Sequence, residues 1–177
     1  MRAARLLSLP LFALLVCAAQ AASQSAPPDF RSEFRGQFGA SARKLVALAE
    51  AMPAESYAWR PAEGVASVGE VYMHIARYNY MYPDQNLGID APLAYADFEQ
   101  DITEKAGAVE MLAASMDHVR TVVAGMSDAD LEAPTRLYGR DVAKWAVLLQ
   151  LVAHMNEHLG LSIAYARVNG VVPPWSR

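Results

Sequence analysis

Residues 142–168 read VAKWAVLLQLVAHMNEHLGLSIAYARV, a long run without proline that starts just after Asp141 and stops at Asn169-Gly170 and Pro173-Pro174. Asp141 is a good N-cap residue, and glycine followed by proline is a good stop, so the run is one helix. At 1.5 Å per residue it extends roughly 42 Å. Trp145, Leu148, Leu149, Val152 and Leu159 clothe it on nearly every side, which marks it as the central and most buried helix.

Working upstream, Val109, Leu112, Met116, Val119 and Val123 recur at spacings of three and four and predict a third helix over Glu104 to Gly125. Before it, residues 83 to 103 form a long connection containing Gly88 and Pro92. Ser67-Val68-Gly69-Glu70 is a capping box that starts a second helix, which Pro83 should stop after Tyr82. The first helix carries Phe30, Phe34, Phe38, Leu45, Leu48 and Met52 and ends at Pro53. No segment alternates in the manner of a strand, and 33 alanines favour helix. The expected fold is all-α, a four-helix bundle over residues 30–177. Its connections are long for antiparallel neighbours, so at least one should cross the bundle.

The N-terminus is read separately. Arg2 and Arg5 precede an apolar run from Leu6 to Ala19 that ends in Ala19-Gln20-Ala21. This predicts a secretory signal peptide, residues 1–21, followed by a linker at 22–29. The run is too short to span a bilayer, and Pro10 interrupts it, so no stable membrane span should remain after cleavage. The expected location is periplasmic or secreted. The single cysteine, Cys17, would leave with the signal, so the mature chain would have neither disulfides nor thiolate ligands. Any metal must then be held by nitrogen or oxygen. A net charge of −4 argues against a nucleic-acid partner.

Four histidines remain for chemistry. His154 and His158 lie four apart on the last helix, about 40° from each other on one face, and can share a divalent ion. His74 lies mid-way along the second helix at a depth from which it can face them. Three buried imidazoles without a ligand would leave polar nitrogens unpaired at about 1–3 kcal/mol each. Three imidazoles on facing helices also leave a coordination position open for water or substrate. His118 falls at about 240° from Leu112, outside the third helix's apolar stripe, and reads as a solvated or rim residue.

Residues 154–158, His-Met-Asn-Glu-His, match the H-x-x-E-H pattern of one metalloprotease group, but no acidic residue follows His158 to complete that site. Glu157 lies about 60° from His154, where it can orient a ligand or act as a base, or simply be a surface carboxylate. Tyr78 and Tyr165 share the histidines' phase, as core aromatics or proton donors. No glycine-rich phosphate loop or nucleophile elbow occurs.

These residues resemble the DinB-like (DinB/YfiT) metal-binding four-helix proteins. The resemblance runs through SVGEVYMHIA at residues 67–76, HMNEHLG at 154–160, AYAR at 164–167 and NGVVPPWS at 169–176. It implies an up-down-down-up bundle, frequently a homodimer, with one divalent ion, zinc or nickel, held by His74, His154 and His158. Relatives include thiol-dependent isomerases, thiol S-transferases and metal-dependent hydrolases acting on small molecules. For an exported chain, hydrolysis fits better than thiol transfer. The remaining expectation is a metal-binding protein without catalysis.

Overall fold

The computed structural model describes residues 29–101 and 104–176. The expected signal peptide and residues 22–28 of the linker lie outside the described residues. Helix α1, Phe30–Ala51, begins where the Asp29 side chain accepts the Ser32 N–H. It buries Phe34, Phe38, Leu45 and Leu48. Pro53 then keeps Met52 in an extended conformation, as the steric clash ahead of a proline requires.

Helix α2, Val68–Tyr82, opens on the expected capping box, with Ser67 and Glu70 bonded reciprocally. The α-helix ends at Tyr82 as expected, and Pro83 then opens a π turn, Pro83–Leu87, which ends at Gly88 with φ 73°. A proline ring crowds the carbonyl four residues behind it, and the wider turn relieves that crowding. The reversal itself needs the left-handed conformation that glycine supplies. The connection continues through a single helical turn, α3, Phe98–Asp101, pinned by the buried ring of Phe98 against Tyr80.

Helix α4, Lys105–Gly125, follows its predicted span and buries Leu112, Met116, Val119 and Val123. Lys105 donates to the carbonyls of Glu50 and Met52, each at 2.7 Å, and so satisfies acceptors that the end of α1 leaves free. After the short helix α5, Asp128–Glu132, comes a hairpin absent from the predicted architecture: β1, Pro134–Leu137, paired antiparallel with β2, Arg140–Ala143. Tyr138 and Gly139 turn it with positive φ at both positions, 50° and 77°. That is the twist a two-residue hairpin turn needs. Asp141 therefore lies in β2 and is not an N-cap. Helix α6, Lys144–Val168, starts after Ala143 with no side-chain cap.

Contacts fix the helix directions. Ser41 meets Asn156 and Phe30 meets Trp145, so α1 and α6 run parallel. Lys105 lies at the end of α1 and Arg120 over Phe38, so α4 runs against α1. Asn79 meets Ser115 and Tyr80 meets His118, so α2 runs with α4. His74 meets His158 and Tyr78 meets His154, so α2 opposes α6. The bundle is up-down-down-up, and two of its three connections, α1 to α2 and α4 to α6, cross between diagonal corners.

The expectation that the last helix is the most buried does not hold. Ten of the 15 residues of α2 are buried, against eight of the 25 in α6, where Trp145 and Leu149 are exposed. Both are corner helices on two bundle neighbours, but α2 is also packed by the α3 turn and by the Pro83–Leu87 turn, whereas more of the outer side of α6 is left to solvent. Among the described residues, no helix is long and apolar enough to cross a membrane.

Candidate metal centre

The antiparallel pairing of α2 and α6 brings three side chains to one depth. His154 Nε2 lies 3.2 Å from His74 Nε2 and 3.2 Å from His158 Nε2. All three ligand atoms fall within 4.8 Å of one another. The i, i+4 spacing of His154 and His158 places both rings on one side of α6, and the helix directions bring the middle of α2 opposite them. Each histidine is half-buried.

Neutral imidazoles cannot satisfy this geometry among themselves. Nε2 carries either one proton or one lone pair, so His154 Nε2 can form one linear hydrogen bond and not two. Nor do His154 and His158 readily charge. Burial, followed by the neighbouring His158 and His74, pushes the His154 pKa down to about 3. Burial and His74 also lower that of His158, against a weaker upward pull from Glu157. His154 and His158 thus stay neutral at pH 7, and the Nε2 atoms of the three rings converge on one point. A cation with affinity for imidazole nitrogen fits such a donor set.

Two outer positions differ. His74 Nδ1 lies 2.7 Å from Glu99 Oε1, and Arg77 Nη1 lies 3.4 Å from the same oxygen. His158 Nδ1 is buried and has no hydrogen-bond partner. Tyr78 closes one side of the cluster, its ring centroid 4.4 Å from that of His154 and 4.6 Å from that of His74. Beyond it, Tyr82 meets His154 edge-on and shares a hydroxyl hydrogen bond with Tyr138 at the hairpin tip.

On the other side a cavity of about 270 Å³ opens beside His74 and His158. Val71 and Leu161 give it apolar walls; Glu70, Glu99 and Gln100 add polar groups. Glu70 is already engaged, bonded to the Ser67 N–H and to Arg60.

The structure thus assembles His74, His154 and His158 but does not bring every predicted residue with them. Glu157 is exposed and lies outside both the cluster and the cavity lining. Tyr165 donates to the Ala66 carbonyl and packs against Trp59, serving the core. His118 takes the rim position of the two expected: it is half-buried beside a cavity, its Nε2 is covered by protein without a partner, and its ring packs on Tyr80 at 4.9 Å. Its helical phase does lie outside the α4 stripe, on a flank that meets Tyr80 of α2 and opens to a cavity shared with Leu87 to Ile89. Glu99 was missed, although the long connection over residues 83 to 103 inside a compact domain is itself a sign of functional content.

A family model described as DinB superfamily matches residues 37–165. A DinB-like protein from Bacillus cereus superposes with a TM-score of 0.70 at 18% identity, covering 80% of this chain and 93% of that one. A DinB-like protein from Bacillus subtilis gives a TM-score of 0.61 at 19% identity, covering 79% and 93%. No curated protein matches the chain.

Proposed function

Since this chain belongs to the DinB superfamily, we propose that it binds one divalent metal ion through the Nε2 atoms of His74, His154 and His158 and uses it to hydrolyse a small molecule. The observation that carries metal binding is the approach of three Nε2 atoms that hydrogen bonds among neutral imidazoles cannot satisfy. Imidazole nitrogen suits zinc and nickel, as it does copper and iron, and the family resemblance favours the first two.

A divalent ion held by three protein ligands supplies Lewis acidity at its remaining coordination position. The residues around it define what reaches that position. Val71 and Leu161 receive an apolar part of a substrate, and Gln100 offers a hydrogen-bonding amide. Tyr78, packed on two of the imidazoles, excludes water from the opposite side.

One observation favours the second reading, metal binding without turnover. Glu157 lies outside the cavity, while Glu70 and Glu99, the carboxylates that line it, already hold other partners. The test is elemental analysis of the purified protein, followed by ester, amide and thiol-adduct substrates with and without a chelator. About one ion per chain and chelator-sensitive hydrolysis support the enzyme. Metal without turnover selects the binding protein, and absence of metal after zinc or nickel loading rejects both.

The setting we propose is extracytoplasmic, on the basic start and apolar run of residues 1–21. Protein from the native host should begin at Ala22, and an intact mass that retains Met1 to Ala21 would count against this.

A further inference from the structure

We propose that Glu99 is the positioning residue of the metal centre: it holds His74 in the tautomer whose Nε2 lone pair faces the ion, and Arg77 holds Glu99. The role in metal affinity rests on the metal-binding reading above. The effect on the tautomer does not.

The argument is one of proton inventory. An ionised carboxylate can only accept a hydrogen bond, so the 2.7 Å contact requires a proton on His74 Nδ1. A neutral imidazole has one N–H, and Nε2 is then left with its lone pair. That lone pair lies 3.2 Å from His154 Nε2, at the point where the three rings converge. Free imidazole would exchange between two tautomers and two ring orientations. The carboxylate selects one of each before any ion arrives.

The carboxylate is itself fixed. Arg77, one turn along α2 from His74, places Nη1 3.4 Å from the same Glu99 oxygen. Glu99 is half-buried, and the α3 turn that bears it is held by Phe98 against Tyr80. Arg77, Glu99 and His74 therefore form a chain from the surface to the cluster. Among the described residues, this is the only hydrogen bond between a carboxylate and an imidazole of the cluster. His158, with its Nδ1 unpartnered, has no counterpart.

The experiment compares the wild-type protein with Glu99→Ala and Glu99→Gln, using two readouts. Nitrogen NMR of the histidine-labelled, metal-free protein reports the His74 tautomer. Competition with a chelator reports zinc affinity. The wild type should show His74 protonated at Nδ1, and Glu99→Ala should shift it toward the Nε2-protonated form. Its zinc affinity should fall about 10- to 100-fold, the usual cost of losing an outer partner of a metal ligand. Glu99→Gln, whose amide oxygen can still accept, should keep the tautomer and lose less affinity. A His74 protonated at Nε2 in the wild type, or a tautomer indifferent to Glu99→Ala, would overturn the proposal. Should the wild type bind no zinc, the metal reading fails, and the tautomer alone still decides the role of Glu99.

Discussion

Helix α2 presents two faces that follow opposite rules. Toward α4 it is closed: Asn79, 2% exposed, donates to Ser115 Oγ at 3.0 Å, and Ser115 donates in turn to the Leu112 carbonyl. Around that pair lie Leu112, Met116 and Val119, all fully buried. Toward α6 the same helix brings His74 against His154 and His158 in a geometry where His154 Nε2 faces two ring nitrogens and can bond only one of them. A protein interior normally leaves few buried polar groups unpaired, because each costs about 1–3 kcal/mol. At Asn79 and Ser115 the closed face meets that requirement from within the chain, while the covered His118 Nε2 beside Tyr80 is left without a partner. On the proposed metal-binding reading the open face would meet it through a bound ion, and that difference would separate a packing interface from a binding site.

The sharpest break in the comparison comes from the open face. His154→Ala removes the central nitrogen of the cluster and should abolish metal retention, a larger loss than the roughly 10- to 100-fold expected from an outer partner. Helical circular dichroism should remain unchanged, because the bundle core lies elsewhere. Full metal content in the purified variant would refute the site.

Truncation on the closed face should do the reverse. Leu112→Ala empties a fully buried position and should cost about 2–5 kcal/mol. At roughly 2–4 °C per kcal/mol for a domain of this size, the melting temperature should drop by several degrees or more, with metal stoichiometry kept. Asn79→Ala should cost less, about 1–3 kcal/mol, by leaving Ser115 short of a partner. If either variant lost metal while remaining folded, the two faces would not be independent.

The same contrast explains how much the sequence disclosed. The capping box at Ser67, the α4 stripe and the His154 to His158 spacing are local signals, readable within one or two helical turns. From them came the bundle, and with His74 the three-histidine cluster. What was hidden depends on partners distant in sequence. Glu99 acts on a residue 25 positions away, through a four-residue helix with no period of its own. The hairpin strands are four residues each, too short to display alternation, and its turn uses Tyr138 where asparagine or aspartate would have announced it. Apolar girth misled for α6, because the outward Trp145 and Leu149 look in sequence like core.

The smallest effect tests whether an unpaired histidine outside the cluster behaves differently. His118 is half-buried and packs on Tyr80, with no other imidazole among its ring contacts. Burial lowers its pKa in the folded state from the ordinary 6.5. Between that lowered value and 6.5 the unfolded chain binds more protons than the folded one, so stability rises with pH there. The contribution is complete above 6.5 and is lost as pH falls toward the folded pKa. His118→Phe keeps an aromatic ring against Tyr80 and removes the titration. Urea melts of metal-free wild type and variant at pH 7.5 and pH 5.5 isolate the effect, since His154 and His158 contribute equally to both proteins. The variant should lose less stability on acidification than the wild type. Equal losses would mean that His118 takes up its proton without disturbing the fold, and that its covered Nε2 gains a partner in solution.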